Sequence, residues 1–283
     1  MAAFKRALMV RPTHFSVEYA INPWMGGTVD RVKAMAQWES LKSALETAGV
    51  EVLVLDQAED VPDMVFCCNA GLVYGNKVYL SHFRHPERQP ERGYFKSWFL
   101  DNGYDIYGNM DLFFEGGGDA FFAGPSKLIA GHGPRSQKEV YPLIEQSLGS
   151  RPANGDLDSA PKPAFQTLYC ELSNPRFYHN DVCIFPLTDD AAVWYPGAFS
   201  AASQQLLRSQ FNQLVAVPDE EAARFACNGI AVPQSRSVIL PTGCEQTAHR
   251  LRADGWRVLE CEMSEFLKAG GACQCLVLKL FDL

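Results

Sequence analysis

The chain of 283 residues has no run of about twenty consecutive apolar residues, so no segment reads as a membrane-spanning helix. Met1 to Val10 carries Lys5 and Arg6 but too short an apolar run for a signal peptide, and a soluble, cytoplasmic protein is expected. Cations are scarce and scattered: 25 Lys and Arg stand against 33 Asp and Glu, for a formal charge of −8. Phosphate binding needs clustered cations, which argues against nucleic acid or an anionic membrane as partner and for a small or cationic ligand. Homo-oligomerisation is left open by the sequence.

Disulfide and zinc frameworks are also lacking. The nine cysteines are an odd set without a repeating spacing, and most are read as reduced. Cys67 and Cys68 are adjacent and Cys273 and Cys275 bracket one residue, whereas paired zinc ligands usually stand roughly two to four residues apart. Neither a bound metal nor a cofactor is expected.

What is present is apolar: 47% hydrophobic and 12% aromatic residues suffice for a core, and residues 1–283 are read as a single domain. Around Gly49, Gly103 and Gly255 one pattern recurs, a helical period ending on glycine and followed by a strand. Helices are predicted near Val29 to Ala48, Glu91 to Asn102, Lys138 to Leu148, Phe199 to Asn212 and Gln246 to Asp254, with short apolar strands between them. The first two glycine-ended helices stand roughly fifty residues apart and the third about three such intervals further on. An α/β chain of about five similar modules around one centre follows. Gly149 to Gln166, rich in Pro, Gly, Asp and Ser without an apolar period, reads as a surface loop or insertion.

Three segments carry residue types suited to catalysis. Phe114-Glu115-Gly116-Gly117-Gly118-Asp119 sets two carboxylates around glycines that admit close backbone approach; it also reads as an ordinary tight turn. His179-Asn180-Asp181, leading into a strand read at Val182 to Pro186, puts an imidazole and a carboxylate on the same face of a strand by alternation, and a lone strand-start His is commonly structural. Gly270-Gly271-Ala272-Cys273-Gln274-Cys275-Leu276 delivers a thiol just after a flexible turn, at the beginning of an apolar C-terminal strand read at Cys275 to Leu280, a suitable place for a nucleophile. By itself Cys275 also reads as a small buried hydrophobe.

In this order the three segments resemble those of the pentein family of guanidine-modifying enzymes, which includes arginine deiminases, dimethylarginine dimethylaminohydrolases, amidinotransferases and arginine dihydrolases. The resemblance runs from Tyr19 to Met25, through Phe83 to Arg88, to Cys275. It implies a fivefold pseudosymmetric α/β propeller of ββαβ-type modules with the site at its central end. It implies also that Cys275 attacks a guanidinium carbon, His179 moves the protons, and Glu115 and Asp181 hold the cation. By the same resemblance Arg135 and Arg88 stand at positions that receive a substrate carboxylate, and Arg88 also reads as a solvated surface arginine. Where deiminases and dimethylaminohydrolases carry Asp after Phe-x-x, this chain has Asn69, which can hold a guanidinium and also donate to a neutral ureido oxygen. With Asn22 in Ile21-Asn22-Pro23-Trp24, this resembles the arginine dihydrolase branch. Dimethylarginine hydrolysis, arginine deimination, amidino transfer, a non-catalytic binding protein and a thiol redox protein using Cys67/Cys68 or Cys273/Cys275 are the competing readings.

Overall fold

In a computed structural model, which describes residues 3–149 and 164–282, the three helix-ending glycines all take positive φ: +89° at Gly49, +77° at Gly103 and +81° at Gly255. That left-handed turn stops each helix and swings the chain into the next strand, and a residue with a Cβ would be strained there.

Each module is an antiparallel strand pair, a helix, and a third strand parallel to the second. In the first, β1 (Ala3–Arg11) leads to α1 (Arg31–Thr47) and β2 (Glu51–Asp56). Asp30 caps α1 by accepting from the backbone N–H groups of Val32 and Lys33. Ala34, Trp38, Leu41 and Leu45, spaced by three or four, form its buried face. Truncating Trp38 to Ala there would cost about 3–5 kcal/mol.

The second module is β3 (Gly71–Tyr74), β4 (Lys77–Leu80), α2 (Glu91–Asp101) and β5 (Asp105–Tyr107). The third is β6 (Ala120–Phe122), β7 (Lys127–His132), α3 (Tyr141–Gly149) and β8 (Gln166–Glu171). The fourth is β9 (Ile184–Pro186), β10 (Ala191–Trp194), α4 (Ala201–Gln210) and β11 (Gln213–Ala216). After the single-turn α5 (Asp219–Ala222), β12 (Ile230–Val232), β13 (Ser237–Pro241), α6 (Glu245–Ala253) and β14 (Arg257–Cys261) make the fifth. A last short helix, α7 (Ser264–Leu267), precedes β15 (Leu278–Asp282), which pairs antiparallel with β1 and completes the first sheet.

Among the described residues this gives five three-stranded sheets, the fivefold pseudosymmetric α/β propeller expected from the sequence. The loop expected at about 149–166 falls mostly outside the described residues; α3 ends at one flank and β8 begins at the other. No described helix is long and apolar enough to cross a membrane.

Two expected strands begin later than the sequence suggests. Residues 180–182 form a 3-10 turn ahead of β9, and β15 starts at Leu278, not at Cys275. His179 and Asp181 therefore meet the same site across a turn and not by the alternation of a strand.

Candidate active site

The turns that enter the first strand of each module converge. They hold Cys68-Asn69 before β3, Glu115 to Asp119 before β6, His179 to Asp181 before β9, Asn228 before β12 and Cys275 before β15. A closed ring of hydrogen bonds links them. Cys68 N donates to Cys275 O at 3.2 Å, Asn69 Nδ2 to Glu115 O at 3.1 Å, and Asn180 N to Asp119 Oδ1 at 3.1 Å. Asn228 Nδ2 donates to Asp181 O at 3.1 Å, and Gln274 N returns to Asn228 O at 3.1 Å. Polar backbone that would otherwise be buried unpaired is thereby satisfied.

On this ring the Cys275 sulfur lies 3.1 Å from Asp181 Oδ2 and accepts from Asn228 Nδ2 at 3.1 Å. The Cys68 thiol reaches the same Asp181 oxygen at 3.6 Å. Burial alone would push the Cys275 thiol up, but hydrogen bonds from Cys68, the Ala272 backbone, Asp181 and Asn228 hold it down to about 7. Burial, and then the adjacent Cys275, drive the Asp181 carboxyl well above its ordinary range. Two acids this close titrate as a pair. The other oxygen, Asp181 Oδ1, is buried with no hydrogen-bond partner, as is Asp63 Oδ1.

Glu115 stands apart from the sulfur as a hub: Oε2 meets His179 Nε2 at 2.7 Å and Arg135 Nη1 at 2.9 Å, while Oε1 accepts from Arg84 N at 3.1 Å. Burial would raise its carboxyl, yet Arg135 and His179 hold it far below the usual carboxylate range. Gly118 lies where a Cβ would come within 2.2 Å of Asn69 Nδ2 and 3.0 Å of His179 Nδ1, so only glycine lets these side chains pack there. Asp119 serves the backbone, accepting from the N–H groups of Ser136 and Asn180.

The remaining expected residues are placed as follows. Asn69 accepts from Arg88 Nη1 at 2.9 Å. Arg88 is buried and forks onto both oxygens of Glu91, at 2.7 and 2.8 Å, so its guanidinium is committed to the protein. The i, i+3 spacing of Arg88 and Glu91 was the signal for that pair. Arg135 stacks 4.8 Å over the Tyr178 ring and donates to Ile21 O at 2.7 Å. Asn22 ties its own loop, donating to Ala269 O and accepting from Trp24 N. Cys275 itself is only 3% exposed.

Cys67 turns away from Cys68 to Leu8 O and Leu276 O, and Cys273 is buried in the apolar core. Neither pair faces one site as a redox couple would. Among the described residues, the Cys68 and Cys275 sulfurs and an Asp181 carboxylate oxygen lie within 4.8 Å of one another. The sequence reading missed Asn228, Asp63 and this position of Cys68; for Asn228 the signal was its place at the start of the fifth module.

The family model described as "N,N dimethylarginine dimethylhydrolase, eukaryotic" matches residues 27–282. An uncharacterised protein of Caenorhabditis elegans is 48% identical over 98% of this chain and 94% of its own length. The bifunctional arginine dihydrolase/ornithine cyclodeaminase AgrE of Nostoc is 38% identical over 98% of this chain, which spans 38% of that longer protein. Among solved structures, a variant of the N-terminal domain of the cyanobacterial arginine dihydrolase ArgZ bound to its substrate is similar with a TM-score of 0.88, at 36% identity and covering 98% of each chain.

Proposed function

Because the chain belongs to the N,N dimethylarginine dimethylhydrolase family, within the pentein superfamily of guanidine-modifying enzymes, we propose that it hydrolyses the guanidinium group of arginine through a covalent adduct on Cys275. The products are ornithine, ammonia and carbon dioxide. The observation that carries this reading is the Cys275–Asp181 pair, a thiol and a carboxylate 3.1 Å apart with one carboxylate oxygen unpartnered in the interior.

A guanidinium carbon is a poor electrophile because its charge is delocalised, so the site must bind a cation and attack it with a strong nucleophile. A guanidinium against Asp181 would neutralise the shared acid pair and free the thiolate. The sulfur bonds to the guanidinium carbon, the terminal C–N bond breaks, and the departing nitrogen takes a proton from His179. Water, deprotonated by His179, then attacks the amidino-thio adduct, the C–S bond breaks, and citrulline forms. Glu115 orients His179 from the far side of the ring.

Asn69 supports a second passage, in which the sulfur attacks the ureido carbon, the terminal C–N bond breaks to release ammonia, and water cleaves the C–S bond of the carbonyl-thio adduct to leave a carbamate that loses carbon dioxide and gives ornithine. Its amide spends one N–H on Glu115 O and one lone pair on Arg88, and keeps one of each for a ligand. The remaining N–H suits a ureido oxygen, which a carboxylate would repel. Asp63, near Tyr19 and Arg88, offers a further buried carboxylate oxygen, suited to the ammonium of an amino acid. Of the two expected arginines, Arg135 is the better carboxylate partner, since Ile21 O is a neutral acceptor that a carboxylate can replace; Arg88 acts by holding Asn69. Asn22 acts by tying the 22–24 turn to Ala269 O, just ahead of the nucleophile turn.

Dimethylarginine hydrolysis is the second reading, favoured by the family description. The test is to incubate the protein with arginine, citrulline, dimethylarginine and agmatine separately, following ornithine, citrulline, ammonia and amine, with Cys275→Ala as control. Ornithine from arginine supports the dihydrolase. Lasting citrulline indicates a deiminase and dimethylamine a dimethylaminohydrolase. Absence of any Cys275-dependent turnover points to an amidinotransferase or a binding protein.

A further inference from the structure

Four of the five converging turns carry residues that the family resemblance brings to the site; the fifth, between Phe225 and Ile230, carries Asn228. This residue is fully buried. Its Nδ2 donates to Cys275 Sγ and to Asp181 O, both at 3.1 Å, and its Oδ1 accepts from Gln274 N at 3.0 Å and Cys275 N at 3.2 Å. An amide has two N–H donors and two acceptor lone pairs, and all four are used. The turn itself is sharp: Phe225 sits at φ +64° and Asn228 N donates to Phe225 O at 2.8 Å.

One side chain thus fixes the backbone of the nucleophile turn, ties it to the carboxylate-bearing turn, and aims a donor at the sulfur. Cys68 and Asp181 also touch this region, but both can themselves lose a proton. An amide cannot, so its N–H faces the sulfur at every working pH. We propose that Asn228 is a positioning residue that holds the Cys275 sulfur in place and stabilises it as the thiolate. The proposal rests on the reading of Cys275 as the nucleophile and deepens it.

The titratable groups facing the thiol are Asp181 and Cys68. Tyr178 and Cys273 lie within electrostatic reach of it, and Lys279 acts on Cys68 and Asp181 from the next strand. A hydrogen bond to a charged group contributes about 1.5–3 kcal/mol, equivalent to about one to two pH units in a thiol midpoint. Because a donor stabilises the thiolate, deleting it moves the midpoint up.

The experiment is the pH dependence of iodoacetamide alkylation of Cys275, resolved from Cys273 by tandem mass spectrometry, in the full chain and in Asn228→Ala. The expected result is a midpoint raised by about one to two units in the folded variant. A midpoint within a few tenths of the parent would overturn the proposal. Should Asn228→Ala not fold, the side-chain amide of Asn228 in asparagine-labelled native protein is followed by NMR. It should shift with the Cys275 midpoint and not in Cys275→Ala; an amide that ignores thiol ionisation overturns the proposal. Both measurements are made without substrate, so their outcome is separate from whether arginine is turned over.

Discussion

Replacing Asn69 by Asp should split the proposed double hydrolysis at its midpoint. The bond to Arg88 Nη1, now 2.9 Å, would persist and gain charge, but the Nδ2 donor to Glu115 O at 3.1 Å becomes an oxygen facing an oxygen. Leaving that carbonyl unpaired costs about 1–3 kcal/mol of stability, visible as a lower urea midpoint. Toward ligand the effect depends on charge. A guanidinium accepts a carboxylate in place of the amide, whereas a ureido oxygen loses a donor and meets an anion. That loss of about 2–3 kcal/mol slows the second step roughly a hundred-fold while the first is spared. Arginine labelled with carbon-13 at the guanidino carbon would be followed by NMR. The parent should pass label to bicarbonate with little citrulline, and Asn69→Asp should accumulate citrulline. An unchanged partition in the variant, or stoichiometric lasting citrulline from the parent, would refute the reasoning.

Glu115→Gln removes the anion between His179 and Arg135 and should destabilise the fold by about 3–5 kcal/mol near neutral pH. The Glu115 carboxyl is held below its ordinary range, so its contribution is complete above the unfolded value of about 4.3 and is lost as pH falls toward the folded value. The gap in urea midpoint between parent and variant should therefore stay constant from about pH 7 to about pH 5 and narrow progressively as pH falls below about 4.3; a gap that stays constant down to about pH 3 contradicts this account. Gly118→Ala would drive a methyl into Asn69 Nδ2 and His179 Nδ1. Steady-state kinetics should show kcat/KM reduced roughly ten-fold or more, and an unaltered value would mean that the packing there is slack. Arg88→Lys loses the fork onto Glu91 and the geometry that fixes Asn69. Citrulline turnover should fall more than arginine turnover, and equal losses would show that Arg88 does not act through Asn69.

Cys275, His179, Glu115, Asp181 and Asn69 are near neighbours on the ring, although they are scattered over the chain, because each lies in a turn entering the first strand of its module. Periodicity does not mark such turns well. Residues 180–182 read as the start of a strand because apolar residues continue from Val182, yet three residues of 3-10 turn intervene and bring His179 and Asp181 to one site by a different route. β12, only three residues long, follows Cys227-Asn228-Gly229 without an alternating pattern, which is why Asn228 drew no notice. Arg88 shows the limit in another way. In its motif it reads as a ligand for a substrate carboxylate, while in the structure it forks onto Glu91, one helical turn away.

The sequence by itself determined what is local: helices stopped by glycine at positive φ, the apolar faces of α1 and its counterparts, the recurrence of the module, and the kinds of reactive residue at the module entrances. These depend on backbone sterics and on periodicity, which neighbouring residues carry among themselves. Only the tertiary structure decided which oxygen pairs with which donor. Asp181 meets the sulfur while Glu115 meets His179, Cys68 faces the site while Cys67 faces the core, and Asn228 joins them. Those choices arise when five modules close on one axis and each buried polar atom must find its partner on a different module.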